Sequence, residues 1–100
     1  MYRATTPTHI FKLPFAYNDY VSKCLITYSQ DGNIVFEKTE NDIEANGDTI
    51  TLKLTQEETK LFDEEKIVSV QVRVLTKNNT ALASKIQLIP ISNVLNDEVL

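Results

Sequence analysis

His9 and Cys24 are the only histidine and the only cysteine in this chain, and most nucleophile and base chemistry would have to pass through them. A single imidazole cannot anchor a histidine metal cluster. It could act as a general base toward Ser22, Ser29, Ser69, Ser84 or Ser92, but none of these serines lies in the Gly-x-Ser-x-Gly elbow that exposes a nucleophile. His9 therefore reads as a half-exposed strand residue. Cys24 sits in "VSKCLITYS", with no nearby histidine, lysine pair or second cysteine to lower its thiol pKa. It reads as a small buried hydrophobe, and with no second cysteine an internal disulfide is excluded. Two acidic groups, Glu40/Asp42/Glu44 and Asp63/Glu64/Glu65, supply oxygen ligands without the D-x-[DN]-x-[DN]-G spacing of a calcium loop. Both read as solvated turns. With Gly32 and Gly47 as its only glycines, the chain has no phosphate-cradling loop. The residue types thus predict a protein that is not an enzyme and that uses no metal or cofactor.

Length and composition narrow the class further. One hundred residues predict a single domain, 1–100, able to bury a modest core. Fourteen acidic residues against ten basic ones give a net charge of −4, and the basic residues are scattered singly. A nucleic-acid partner needs clustered Lys and Arg, so none is expected. No apolar run approaches the roughly 20 residues of a membrane helix, so no membrane partner is expected. The start "MYRATTPTHIFKLPF" lacks the apolar core and small-residue cleavage site of a signal peptide, which predicts residence in the cytosol unless a larger assembly carries the chain out.

The dominant pattern is period two. "TITLKL" (49–54) places Ile50, Leu52 and Leu54 on one face, and "IVSVQVRVLT" (67–76) does the same with Val68, Val70, Val72 and Val74. Such alternation is the mark of antiparallel strands with one buried and one wet face. "HIFKLPF" (9–15), "YVSKCLITYSQ" (20–30), "NIVFEK" (33–38) and "ALASKIQLIPI" (81–91) fit less cleanly. Asp31-Gly32 joins two of them as a hairpin, Asn78 and Asn79 can turn the chain before Ala81, and Asn46-Gly47 precedes the cleanest strand. Pro90 cannot donate to a ladder and belongs at a sheet edge.

Strands with one wet face cannot close a core in one layer. The pattern predicts an all-β, immunoglobulin-like antiparallel sandwich of six to seven strands, with a small barrel as the alternative. "LTQEETKLF" (54–62) interrupts it. Thr55 and Glu58 form a T-x-x-E capping box, and the acidic residues there suit a helix start. This predicts one helical turn crossing from sheet to sheet, with Leu61 and Phe62 folding onto the core. Tyr17 and Tyr20 read either as interface residues or as core caps with wet hydroxyls. The C-terminal tail, 92–100, carries Val94, Leu95, Val99 and Leu100 beyond the last strand, where they must pack back or pack on a partner.

The order of segments "YRATTPTHIFKLPF", "CLITYSQDGNIVFEK", "NGDTITLKLTQEETKLF" and "VSVQVRVLTKNNTALASKIQLIPI", ending in "NVLNDEVL", resembles small prophage-encoded proteins of Firmicutes that are similar to the N-terminal domain of phage upper baseplate (tail) proteins. The resemblance implies a β-sandwich that serves as a tail or baseplate assembly part. Its implied partners are other tail or baseplate proteins or further copies of itself. Its implied location is the bacterial host cytoplasm during assembly, or the virion tail. A small sandwich module binding carbohydrate or peptide is the alternative function.

Overall fold

A computed structural model describes all residues, Met1–Leu100. Strands β1 (Thr8–Lys12), β5 (Thr49–Lys53) and β4 (Glu44–Asn46) form one sheet in the order β1-β5-β4. The second sheet runs β3 (Asn33–Thr39), β2 (Val21–Gln30), β6 (Ile67–Thr76), and then β7 (Ala81–Ala83) and β8 (Gln87–Pro90), which share the far edge of β6. Every strand pairing is antiparallel. Two helical turns, α1 (Tyr17–Tyr20) and α2 (Gln56–Thr59), complete the chain.

The alternation sets the layers. Ile50, Leu52 and Leu54 from the smaller sheet, joined by Phe11 of β1, face Cys24, Ile26, Tyr28, Val68, Val70, Val72 and Val74 from the larger, and all are buried. These two inner faces make the sandwich core, and the two separate sheets rule out the barrel. A bulge at Ser22 shifts the register between Val21 and Lys23, so Val21 and Cys24 both point inward despite their odd spacing.

Turn chemistry holds the registers. Asp31 and Gly32 both take positive φ, +51° and +77°, in the two-residue connection that suits the strand twist. Asn79 takes φ +66° in a three-residue turn closed by its amide donating to the Thr76 carbonyl.

Three features depart from the expected pattern. Eight strands form instead of six or seven, because Glu44–Asn46 pairs with β5 and 81–91 breaks in two. At the break the Ser84 hydroxyl accepts from the Val72 amide, so a side chain stands in for one ladder position. Three-residue strands are too short to show a period. Two helical turns form instead of one, since residues 17–20 close into α1. Pro90 does lie on the edge strand β8.

Candidate interaction surface

The crossover is built from its own residues outward. The Glu58 amide donates to the Thr55 hydroxyl at 3.1 Å, and the Thr55 amide donates to a Glu58 carboxylate oxygen at 2.9 Å. The other Glu58 oxygen pairs with the Lys38 ammonium, which reaches across from β3 over the Phe36 ring. Burial alone would raise the Glu58 pKa. Its hydrogen bonds from Lys38 and Thr55, with the Lys38 charge, outweigh that and hold it below its ordinary 4.5. Phe62 is buried against Phe36 and Tyr28, with ring centroids 5.3 and 6.0 Å away. Leu61, expected beside it on the core, is 59% exposed instead. A single helical turn followed by a bend can aim only one of two adjacent side chains inward.

Long-range polar contacts then lock this crossover to both ends of the chain. Buried Thr59 donates its hydroxyl to the Thr5 carbonyl at 2.9 Å and accepts from the Thr5 amide at 3.0 Å. Arg3 donates through Nε to the Phe62 carbonyl and through Nη2 to the Lys60 carbonyl, at 2.9 and 3.2 Å. Its Nη1 reaches Asn93 Oδ1 at 3.2 Å and the Asp97 carboxylate at 3.3 Å. Gln30 and the Asp63 backbone exchange two hydrogen bonds under the same junction.

The tail is therefore held by its polar atoms. Ser92 bridges to Tyr2, Arg3 grips Asn93 and Asp97, and the Leu100 amide donates to Gln56 Oε1 at 2.7 Å. Val94 is partly buried, whereas Leu95, Val99 and Leu100 are exposed. Of the two tyrosines read as candidate interface, Tyr20 is 55% exposed and stands edge-on to Phe15. Tyr17 is not at the surface. It is buried in the core, where burial first, then the charges of Cys24 and Glu40, push its hydroxyl up to about 12. The α1 turn explains the difference, since it rolls Tyr17 under β4 while leaving Tyr20 outside.

His9 lies on β1 facing inward, and its Nδ1 is 2.6 Å from the hydroxyl of fully buried Tyr28. Desolvation, with the N-terminal ammonium second, lowers the imidazole pKa from 6.5, which favours the neutral ring in this hydrogen bond at pH 7. Cys24 is buried, and desolvation followed by the Glu40 charge pushes its thiol up to about 11. That is the opposite of an activated nucleophile.

Two surfaces stand out that pattern reading missed. The outer face of the larger sheet carries a shallow groove of about 230 Å³ lined by Leu25, Thr27, Ser29, Ile34, Glu37 and Ile86, among others. Ile34, Ile67, Ile86 and Leu88 all stand out from this face. The second is a cleft of about 250 Å³ between the sheets, lined by Leu13, Pro14, Phe15, Val72, Val74 and Leu82. The signal for the first was available, because Ile34, Ile67 and Leu88 occupy wet-face positions of their strands. The cleft depends on one sheet being narrower than the other, which no local pattern encodes.

Compared with protein families, with curated proteins and with solved structures, the chain finds no match in any of the three.

Proposed function

We propose that this chain is a non-catalytic assembly module of a phage or prophage tail or baseplate, working through protein–protein contacts. The observation that supports the reading most is the tail. Its backbone and polar side chains are tied down by Tyr2, Arg3 and Gln56, while Leu95, Val99 and Leu100 are turned to solvent. A segment fixed in place with its apolar side chains outward is preorganised for docking, because less ordering entropy is lost on contact.

The test pairs the purified chain with the products of the reading frames adjacent to its own gene, with binding measured by light scattering and biolayer interferometry. Binding to a tail or baseplate protein is expected. Leu95→Asp with Leu100→Asp should weaken it by about tenfold or more, the worth of one to two buried leucines. Deleting Asn93–Leu100 should abolish it. Unchanged binding after deletion would remove the tail from the interface, and no binding to any neighbouring product would sink the assembly role.

A peptide-binding module is the second reading, favoured by the apolar cleft between Phe15 and Leu82. A carbohydrate ligand would instead use Tyr20, the exposed aromatic stacked edge-on to Phe15. A specific hit on a peptide or glycan array, lost on Phe15→Ala or Tyr20→Ala, would favour this module over the assembly part.

A further inference from the structure

The two edges of the larger sheet differ in charge. Residues 37–48, which run along β3 and into β4, hold five acidic residues and one basic one, Lys38. Lys38 is already paired with Glu58, so it does not offset them. Glu37, Glu40, Asp42 and Glu44 take part in no ion pair. Residues 66–96, which form β6, β7 and β8, contain four basic residues and no acidic one. Arg73 and Lys85 form no ion pair there either. β4 belongs to the smaller sheet and β6 is an inner strand, so on the larger sheet Glu37, Glu40 and Asp42 stand at the β3 edge and Lys85, between β7 and β8, is the one charged residue at the opposite edge.

Both edges are open. β3 is seven residues long and pairs only with β2. On the other side β7 and β8 pair only with β6, and Met1 closes just the far end by donating to the Pro90 carbonyl. Open edges of this length are templates for another strand.

Register and direction fit a repeat. Ile34 lies opposite Ser29, Ser29 opposite Ser69, and Ser69 opposite Leu88, so Ile34 and Leu88 end the same row on the outer face. Glu37 lies opposite Thr27 and Thr27 opposite Gln71, whose side chain reaches the Ser84 carbonyl next to Lys85. β3 runs antiparallel to β2, β2 to β6, and β6 to β8, so β3 of a following copy laid along β8 is antiparallel to it. The same step brings Ile34 beside Leu88, and it brings Glu37, in the row of Thr27 and Gln71, to the end of β8 where Lys85 and Ile86 precede Gln87.

We infer that the larger sheet continues from one copy of this chain to the next, with the acidic β3 edge of one against the basic β7–β8 edge of another. The partner is a second copy of the chain, placed head to tail. Contacts of β3 with β3 are opposed by Glu37, Glu40 and Asp42 facing themselves, and contacts of β8 with β8 by Lys85. The charges thus block like-with-like pairing and leave the heterologous contact. The bulge at Val35 and Pro90 in β8 trim the edges, so pairing is confined to Ile34, Glu37 and Lys85–Ile89. Four strand steps at about −20 to −25° each turn successive copies by about 80–100°, which makes an open twisted ribbon and not a closed ring.

This inference rests on the reading of the chain as an assembly part, yet it uses a surface separate from the tail. The experiment is sedimentation velocity of the whole chain over a wide concentration range at low and high ionic strength. Mass should rise with concentration without stopping at a dimer, and salt should weaken the association. Glu37→Lys with Glu40→Lys, or Lys85→Glu alone, should each weaken association at least on the order of tenfold. Mixing the two variants should restore it, because each then meets an opposite edge. Glu37 and Lys85 are exposed and Glu40 is half-buried, and unchanged thermal melts will show that the variants remain folded. A mass fixed at 11.4 kDa at every concentration overturns the inference, as does a dimer that does not grow or a mixture that stays monomeric. In those cases tail-dependent binding to a neighbouring gene product would still stand. If the self-association appears while that binding fails, the proposed baseplate role falls and the edge contact remains.

Discussion

A fully buried tyrosine needs a partner for its hydroxyl, and Tyr28 finds one in His9, which stacks on it at 5.7 Å and hydrogen-bonds to it through Nδ1. Because burial lowers the His9 pKa, the folded state binds fewer protons than the unfolded chain in the window below 6.5. Stability therefore falls as the pH drops from about 6.5 toward the lowered folded pKa, and this contribution is constant outside that window. Glu58, also held low, adds a second loss as the pH falls below its ordinary 4.5. Denaturant melts at stepped pH should show a stability that starts to fall near pH 6.5, and His9→Ala should remove that first part of the slope. The same substitution strands the Tyr28 hydroxyl and should cost about 1–3 kcal/mol at pH 7. A flat pH profile in the wild type would mean the contact is not formed. None of this pair was legible in the sequence, because the partners lie on different sheets and only the fold joins them. Arg3 was missed for the same reason, with acceptors contributed by residues 60, 62, 93 and 97. Cys24 was readable, since its place in an alternating strand already fixes it as buried.

At the scale of elements, the most legible features were those whose cause is local. Thr55 and Glu58 sit three residues apart, and the box they form needs nothing else. Thr55→Ala should lower stability by about 0.5–2 kcal/mol in urea unfolding and leave partner binding intact. A binding loss without a stability loss would place the crossover in the interface instead. Gly32 has free space where a Cβ would stand, but its φ of +77° is strained for any other residue. Gly32→Ala should therefore cost about 1–2 kcal/mol by the same measurement, and a neutral result would show that the hairpin turn relaxes. Strands β2, β5 and β6 were legible because each buries one face, and β3 because the Asp31-Gly32 turn pairs it with β2. β4 and the division of 81–91 were not, since three or four residues carry no period and the Ser84 interruption depends on Val72 across the ladder. The α1 turn defeated pattern reading because its four residues have no capping side chain to announce it. That left Tyr17 open between interface and core, and it belongs to the core.

For the whole molecule, the period-two strand pattern forecast a sandwich, without the order of its strands. A net charge of −4 hides its own distribution, which emerges only when the strand order sets Glu37, Glu40 and Asp42 at one edge of the larger sheet and Lys85 at the other. The segments were visible in the sequence as a run of acids and a stretch without them, but their separation across one sheet was not. An apolar tail tied down by its polar atoms and two open edges that differ in charge are the surfaces on which the proposed contacts rest. Its narrower sheet leaves the larger one free to extend. Amide hydrogen exchange of the full chain, compared between dilute and concentrated solution at low salt, reads those edges most directly. Joined edges require that amides among Ile34, Glu37 and Gln87–Ile89 gain protection at high concentration, while those of β1 and β5 do not change. Equal exchange at both concentrations, or a gain confined to β1 and β4, would contradict the edge-to-edge assembly.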